Sequence, residues 1–548
     1  MTPDQRHAPQ RLAGCGYRHA DAVRHLVLRI RPCAQAGDGN GDSNGDGDNN
    51  PARSAQQVLQ ALRQLRDARG WLCDQASALG PGVDLADRDG AIDIGLTLSG
   101  LRRLGLPPWI ERAAGLSPAF RQGAAARAWR VGDSGPAAPG RWEDWAAGTP
   151  EHRVDLVISL HAASAARADA LRGRIEALSG YGPAFETLAC LDGARLPDPR
   201  DGGRSRGAVE HFGYRDGIAR PVFYERRSPQ GGPGRHPEAV ALGELLLGHL
   251  DDVGANPWDF RDLPLQDATT MPPVLDEPQA SLAEASDFFR GGSFGVLRKM
   301  RQDVATFDAQ VREAATTLAG RIGFQRAMAA SLADENARRL QAGLPERQAQ
   351  DVAEAWIRAQ FCGRWPSGAA MQPADGWFEP RPAAPDAARP GDAAPAEWRR
   401  PHASPVDGAA HRACPAHGSH IRRMNPRDDP VVPPRRRVVL RRGLPYGRRG
   451  EADVGLLGLF FCASIEDQFE HLLGAWAQQV PMGPDHAGRA LDPLIGQHDD
   501  VDALLEIWLP DGGVLTARFD RPSVLTRGTL YLLYPARHGL DLICGARP

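Results

Sequence analysis

Two kinds of apolar spacing, one typical of strands and one typical of helices, follow each other along the N-terminal third of the chain. Strands are predicted where apolar and polar positions alternate, at 23–30, 91–98, 154–161 and 185–191. Helices are predicted where apolar positions recur every three to four residues, at 55–79, 99–104 and 162–178. This order of strands and helices favours a ferredoxin-like unit, in which helices cover one face of an antiparallel sheet.

The C-terminal part of the chain repeats this plan with larger insertions. Strands are predicted at 294–300, 437–441, 455–461 and 530–534. Helices are predicted at 302–318, at 324–340 and around Phe469, Leu472, Leu473 and Trp476. The predicted fold class is therefore α+β, with two ferredoxin-like domains, each an antiparallel β-sheet with helices packed on it.

A polar, glycine-rich stretch at 200–207 predicts the boundary between a domain at 1–206 and a domain at 207–548. Each domain carries one low-complexity insertion. Residues 36–52 resemble a calcium loop, but Arg53 stands where the twelfth position requires a bidentate Glu, so we interpret them as a flexible insertion. Residues 366–413 are rich in Pro and Ala and predict an irregular insertion.

Composition narrows the class of protein. The formal net charge of the 548 residues is −3, which argues against a general binder of nucleic acid or of anionic membranes. Eight cysteines are scattered without the dense spacing of a secreted disulfide scaffold. We see no signal peptide, no twin-Arg signal and no apolar run long enough to span a membrane, so a cytoplasmic location is predicted. No pattern indicates an oligomeric state.

A Gly-x-x-Asp-Gly pattern, formed by Gly213, Asp216 and Gly217, lies near the middle of the chain. Alone this pattern is weak evidence, because a glycine-rich chain of this length matches it by chance about once. Together with the segments that follow it in order, it resembles the dye-decolourising (DyP-type) haem peroxidases. Those segments are 243–248, 292–303, 363–368, 414–427 and 441–447.

A haem peroxidase needs an axial ligand for the iron, a distal acid–base for peroxide and a cation that stabilises developing charge. The resemblance implies His420 as the proximal ligand of the haem iron and Asp216 as the distal acid–base. Gly217 would let the backbone approach the cofactor edge while the Asp-Gly turn aims the carboxylate. Arg441, four residues before Pro445 as in the family, is implied as the distal cation.

Arg442 competes with Arg441 for that position. Alternation along a strand sends neighbouring side chains to opposite faces, so only one of the two enters the pocket, and the family spacing favours Arg441. Asp492 is the candidate carboxylate that supports His420, with Asp467 as the alternative. Arg298 is a candidate partner for a haem propionate.

We therefore expect a peroxidase with one haem b per chain. It would reduce hydrogen peroxide and oxidise phenolic, dye-like or other organic electron donors in one-electron steps. An alternative within haem chemistry is a protein that binds haem or handles its iron, with peroxidase activity incidental.

A third hypothesis is a non-enzymatic protein that binds zinc or a partner on the same fold. Its ligands would come from a cluster of five residues, of which Cys414, His417 and His420 form a Cys-x-x-His-x-x-His run. The other two residues are His402 and His411. Structural zinc sites usually use paired C-x-x-C or H-x-x-x-H spacings, which makes this reading the weaker one.

Overall fold

The computed structural model describes a fold built on one large antiparallel sheet. The described residues are 6–32, 50–68, 82–114, 117–201, 208–218, 221–228, 239–261, 279–369, 371, 377–379, 416, 418–424, 437–478, 491–497, 503–509 and 513–545. Most of the two predicted insertions lies outside these residues.

The N-terminal half of the sheet has four strands in the spatial order β6-β2-β5-β4. These are β2 (Ala22–Ile30), β4 (Ala91–Leu96), β5 (Leu156–Ala162) and β6 (Phe185–Ala194). The helices are α1 (Pro51–Ala68), α2 (Leu98–Arg103), α3 (Pro108–Ala114), α4 (Pro118–Gln122), α5 (Ala165–Glu176) and α6 (Tyr181–Ala184). Thr97 caps α2 by accepting the Gly100 N–H, which ends β4 and starts the helix within one residue. The strand order is that of a ferredoxin-like unit, as predicted.

The C-terminal half repeats this order as β17-β11-β14-β12, with β13 also paired to β14. Its strands are β11 (Ser293–Gln302), β12 (Leu440–Arg441), β13 (Leu444–Tyr446), β14 (Gly455–Cys462) and β17 (Val524–Tyr534). Its helices are α7 (Gln279–Phe289), α8 (Val304–Ala319), α9 (Ile322–Gln341), α10 (Ala349–Cys362), α11 (His420–Met424), α12 (Ile465–Trp476, a π-helix) and α13 (Arg537–Ile543). Asp303 caps α8 by accepting the Thr306 N–H, directly after β11 ends.

Short strand pairs complete the fold. They are β1 (Tyr17–Arg18) with β3 (Val83–Asp84), β7 (Leu196–Pro197) with β8 (Ala208–Val209), β9 (Val222–Tyr224) with β10 (Ala239–Ala241), and β15 (Ala503–Trp508) with β16 (Val514–Phe519). The β7–β8 pair spans the predicted domain boundary, whose residues 202–207 lie outside the described part of the chain. The boundary itself stays a prediction.

The two half-sheets join at their edges, where Leu533 of β17 pairs with Leu96 of β4. Both faces of the resulting sheet are covered. Leu26 and Leu28 of β2 belong to one buried apolar cluster, whereas Val27 between them belongs to another, as alternation requires. A third cluster lies in the C-terminal half between α8, α10, β15 and β16, and the candidate site borders it.

Most predicted strands and helices match observed ones within a few residues. The predicted strand at 437–441 is an exception, because only Leu440–Arg441 of it pairs with β14. The pairing with β14 then resumes in β13, at Leu444–Tyr446. The β15–β16 hairpin was not predicted. Among the described residues, no helix is both long and apolar enough to cross a bilayer.

Candidate active site

Asp216 lies in a tight loop at residues 208–218, which we name the Asp216 loop. The Asp216 N–H donates to the Ala208 carbonyl at 2.9 Å, which closes the loop on β8. The Asp216 side chain is exposed, and its Oδ1 accepts the Gly217 N–H at 2.6 Å. Gly217 has φ +76°, a conformation that glycine adopts without strain. The Asp-Gly turn predicted from the sequence is present, and it leaves the carboxylate accessible.

The 363–368 segment packs directly against this loop. The Arg215 N–H donates to the Pro366 carbonyl at 2.8 Å. Gly368 has φ +94°, and a Cβ at that position would lie 2.2 Å from Cδ1 of Ile218. Two segments that the sequence singled out separately are therefore in contact, and the positive φ of Gly368 favours glycine at this position.

A buried carboxylate, Glu210, lies inside the Asp216 loop. Its two oxygens accept the backbone N–H groups of Phe212 at 2.8 Å and Tyr214 at 2.7 Å. The Gln302 side-chain amide, at the end of β11, also donates to it at 2.5 Å. Burial and the nearby charge of Asp216 raise the pKa of Glu210 to about 7, and these hydrogen-bond donors act in the opposite direction.

His420 begins α11, and its ring is held by a carboxylate. Nδ1 of His420 lies 2.9 Å from Oδ2 of Asp492, which is fully buried. The other oxygen, Oδ1, accepts the N–H groups of Leu494 and Ile495 at 2.8 and 3.1 Å. These three hydrogen bonds orient the Asp492 carboxylate toward the imidazole.

The pKa of Asp492 is lowered despite its burial, which alone would raise it. The His420 imidazole, the Arg423 guanidinium and the Leu494 N–H outweigh the cost of burial. An ionised Asp492 accepts a hydrogen bond from the Nδ1–H group of His420, so that the lone pair on Nε2 is left for a metal ion. The structure thus places Asp492, and not Asp467, beside His420.

Arg441 and Arg442 diverge, as strand alternation predicts. Arg441 is exposed on β12, where it pairs with Phe460 of β14. Arg442 turns to the N-terminal segment and donates to the carbonyls of Leu12 at 3.2 Å and Gly14 at 2.6 Å. Arg442 is therefore engaged by the N-terminal segment, and the assignment of Arg441 as the distal cation stays a prediction.

Burial raises the pKa of the Cys362 thiol, at the end of α10, to about 12. The negative charges of Glu210 and Asp492 add to this rise, and the positive charges of Arg441 and Arg364 oppose it. Glu210 in turn interacts with Asp216. These side chains therefore influence one another electrostatically.

Arg298 lies elsewhere in the fold. Its guanidinium is buried and bonds both oxygens of Asp133 at 2.6 and 2.7 Å, together with the hydroxyls of Thr526 and Thr529. Asp133 belongs to the N-terminal half of the chain, so this ion pair links the two halves. With both terminal nitrogens engaged by protein groups, Arg298 is not available to a propionate, and we leave it out of the site.

The side chains around the site fit a group that binds metal through one histidine. Among the described residues, no group of three or more His, Cys, Asp or Glu could hold a metal ion. A single oriented imidazole suits a metal whose other ligands come from a cofactor ring. The indole nitrogens of the buried Trp356, Trp365 and Trp377 in the adjoining cluster have no hydrogen-bond partner in the described structure.

The zinc hypothesis concerns residues that the structure mostly does not describe. His402, His411, Cys414 and His417 lie outside the described residues, and His420 alone of that set has a described position. Its observed partner is Asp492.

Sequence reasoning missed Glu210, Gln302 and Cys362. Glu210 lies three residues before Gly213 of the motif, and an acidic residue between the apolar Val209 and Phe212 is a signal of a buried carboxylate that the motif analysis passed over. Gln302 and Cys362 carry no such signal, because only the tertiary fold brings the ends of β11 and α10 to the Asp216 loop.

Comparisons with known proteins show which family this chain resembles. Residues 263–483 match the model of the family described as Dyp-type peroxidase, C-terminal. The chain is also similar to the multifunctional dye peroxidase DyP2 from Amycolatopsis sp., with 27% identity over 427 residues, which covers 74% of this chain and 72% of that protein.

Solved structures show the same fold over almost the full length. An ancestral D-type dye decolorizing peroxidase matches with a TM-score of 0.66 at 20% identity, covering 98% of this chain and 99% of the other. A dye-decolorizing peroxidase in complex with 2,6-dimethoxyphenol matches with a TM-score of 0.65 at 19% identity, covering 99% of this chain and all of the other.

Proposed function

This chain belongs to the DyP-type peroxidase family, and from that premise we propose that it is a haem-dependent peroxidase. It reduces hydrogen peroxide and oxidises organic electron donors in one-electron steps. The observation that carries this proposal is the contact between the buried Asp492 and Nδ1 of His420, which orients the imidazole as a haem ligand needs to be oriented.

His420 is the residue that would hold the iron of haem b, through Nε2. Haem b, when bound, supplies the redox-active iron at which peroxide is reduced. Asp492 keeps the His420 proton on Nδ1 and fixes the plane of the ring. Because the pKa of Asp492 is lowered, it serves as a hydrogen-bond acceptor for the imidazole.

Asp216 is proposed to move one proton. Its accessible carboxylate would accept a proton from one oxygen of hydrogen peroxide and return it to the other oxygen, which leaves as water. The permanent charge of Arg441 would stabilise the negative charge that develops as the O–O bond breaks. Two one-electron donors would supply two electrons, which together with two protons complete the reduction of one peroxide to two waters.

Phenolic and dye-like compounds are the proposed donors. A relative is a dye peroxidase by name, and a solved neighbour was crystallised with 2,6-dimethoxyphenol. The cytoplasmic location predicted from the cysteine pattern is part of the same proposal.

The test is an absorption spectrum of the purified, haem-supplemented protein beside His420→Ala. We expect a Soret band in the wild type that shifts when one equivalent of hydrogen peroxide is added. His420→Ala should lose or alter that band, because the iron loses its protein ligand.

His471→Ala is the matched control, since His471 is a partly buried histidine of α12 that contacts Trp476 and lies outside the proposed site. It should keep the wild-type spectrum. A wild-type protein that takes up no haem, or a His420→Ala variant with an unchanged Soret band, contradicts the proposal.

A further inference from the structure

We propose that Glu210 is the positioning residue of the Asp216 loop, and that Gln302 anchors Glu210 in both of its protonation states. This inference rests on the proposed function, because it concerns how Asp216 is aimed at peroxide. Glu210 itself touches no reacting atom.

The backbone of the loop is folded around the Glu210 carboxylate. Besides the bonds from the N–H groups of Phe212 and Tyr214 to its oxygens, the Glu210 N–H donates to the Tyr214 carbonyl at 3.0 Å. The Gly213 N–H donates to the Glu210 carbonyl, also at 3.0 Å. Glu210 is therefore bonded to three of the next four residues, and Asp216 follows two residues after this ring.

Gln302 ties the same carboxylate to the central strand of the C-terminal half. Its amide nitrogen donates to Oε2 of Glu210, and its backbone N–H donates to the Val454 carbonyl at 2.8 Å. Gln302 is buried, and its own Oε1 has no hydrogen-bond partner in the described structure. A buried acceptor without a hydrogen bond costs free energy. If Glu210 gains a proton, rotation of the Gln302 amide lets Oε1 accept a hydrogen bond from it, which removes that cost.

Each protonation state of Glu210 has a bonded arrangement with Gln302. The ionised carboxylate accepts from the amide nitrogen, as observed. The protonated carboxyl carries an O–H, and rotation of the amide presents Oε1 as its acceptor. The Asp216 loop can thus keep its anchor to β11 in both states.

The charges that face Glu210 make its protonation relevant near neutral pH. Its pKa is raised to about 7 by burial and by Asp216, with the Gln302, Phe212 and Tyr214 donors opposing. The other titratable groups that interact with it are the Tyr214 phenol and the Cys362 thiol.

Two variants test the role of Glu210 through the pH dependence of the peroxide reaction. Glu210→Gln keeps the shape and removes the charge, so the inflection near neutral pH in the rate of the peroxide reaction should disappear. Gln302→Leu removes a donor that lowers the pKa of Glu210, so the same inflection should move to higher pH. Glu244→Gln is the control, because Glu244 is another buried glutamate that accepts a backbone N–H, that of Asp252, but lies outside the loop.

A second readout uses the protein without cofactor. A carboxyl whose folded-state pKa is about 7, against 4.5 unfolded, stabilises the fold below about pH 4.5 and loses that contribution as pH rises to about 7. The urea midpoint of unfolding of wild type, measured relative to that of Glu210→Gln, should therefore decrease as the pH is raised from 5 to 8. Glu244→Gln should show a different pH dependence from Glu210→Gln.

The outcomes separate the two proposals. Suppose that wild type reacts with peroxide, and that Glu210→Gln and Gln302→Leu both keep its pH profile and the pH dependence of its unfolding midpoint. The positioning role of Glu210 is then wrong, and the proposed peroxidase function stands. If wild type binds haem without reacting with peroxide, the proposed function fails, and with it the role assigned toward Asp216.

Discussion

Asp492 determines which nitrogen of His420 carries a proton. It is buried, it accepts two backbone N–H groups on one oxygen, and it presents the other oxygen to Nδ1 of His420. A carboxylate there can only accept, so the imidazole must donate from Nδ1 and offers Nε2 to a metal. The chemistry of the proposed ligand is thus set by a residue 72 positions away in sequence.

Asp492→Asn should weaken haem binding about 10–100-fold. The amide can retain the Leu494 and Ile495 bonds through its oxygen, but its nitrogen then donates to Nδ1 and shifts the imidazole proton to Nε2. Titration of the cofactor-free protein with haem, followed at the Soret band, measures the loss. Asp467→Asn, at an exposed carboxylate paired with Arg437, should leave the affinity unchanged; an equal loss in both variants would count against the assignment.

Gly368→Ala should destabilise the protein more than Gly343→Ala does. Both glycines have positive φ, but a Cβ at Gly368 meets Ile218 at 2.2 Å whereas one at Gly343 meets nothing within 4 Å. The backbone term of about 1–2 kcal/mol is common to both, and the steric term falls on Gly368 alone. Urea unfolding of the two variants isolates the steric term, and equal losses would show that the Asp216 loop yields to the added methyl.

Strands β2 and β5 carry two histidines into one buried environment. The rings of His25 and His161 lie 6.2 Å apart, and Nδ1 of His25 bonds the Ser159 hydroxyl at 2.8 Å. Burial lowers the pKa of His25 to about 4 and that of His161 to about 3, the latter helped by His25 and Arg442. Both side chains are held neutral in the folded sheet.

The free energy of unfolding should fall as pH drops below about 6.5. Above that pH both states keep these histidines neutral, whereas below it only the unfolded chain binds their protons. At pH 5 each histidine accounts for about 2 kcal/mol of lost stability. Urea unfolding at pH 7 and pH 5 measures this, and His161→Leu should flatten the dependence whereas His152→Leu, at a surface turn, should not. A His161→Leu protein that loses as much stability between pH 7 and pH 5 as wild type does would contradict the conclusion that His161 is held neutral in the folded sheet.

Most strands and helices were predictable because their cause is local. Alternation placed β2, β4, β5 and β11 within a few residues, since each strand buries one set of side chains on each face. The predicted 437–441 strand was too long because periodicity does not register where pairing with β14 stops. The β15–β16 hairpin was missed although the sequence carries a signal for it, because Pro-Asp-Gly-Gly at 510–513 is a turn sequence between two apolar runs.

At the level of the whole chain, the two half-sheets form one sheet joined through Leu533 and Leu96. Sequence periodicity predicts each half but not the joint, because which edges meet depends on contacts far apart in sequence. The same limit applies to the site. Motif order identified Asp216, His420 and Arg441 as candidates, and strand alternation separated Arg441 from Arg442. Asp133, the partner of Arg298, lies 165 residues away, and nothing in the sequence around either residue predicts the pairing.

Asp133→Ala should cost about 3–5 kcal/mol, because it leaves the buried Arg298 guanidinium without its counter-charge between the two halves. Asp89→Ala removes the partner of Arg174 in an exposed pair and should cost at most about 1 kcal/mol. Chemical denaturation of both variants compares them directly. Equal effects would mean that the Arg298–Asp133 pair does not hold the halves together.

The most direct test of the central claim is rapid mixing of haem-loaded protein with one equivalent of hydrogen peroxide, followed at the Soret band, in wild type and Asp216→Asn. The account predicts that the variant keeps its haem and its ferric spectrum but reacts at least about 100-fold more slowly, because it has lost the group that moves the proton. A haem-loaded Asp216→Asn protein that reacts as fast as wild type would contradict it.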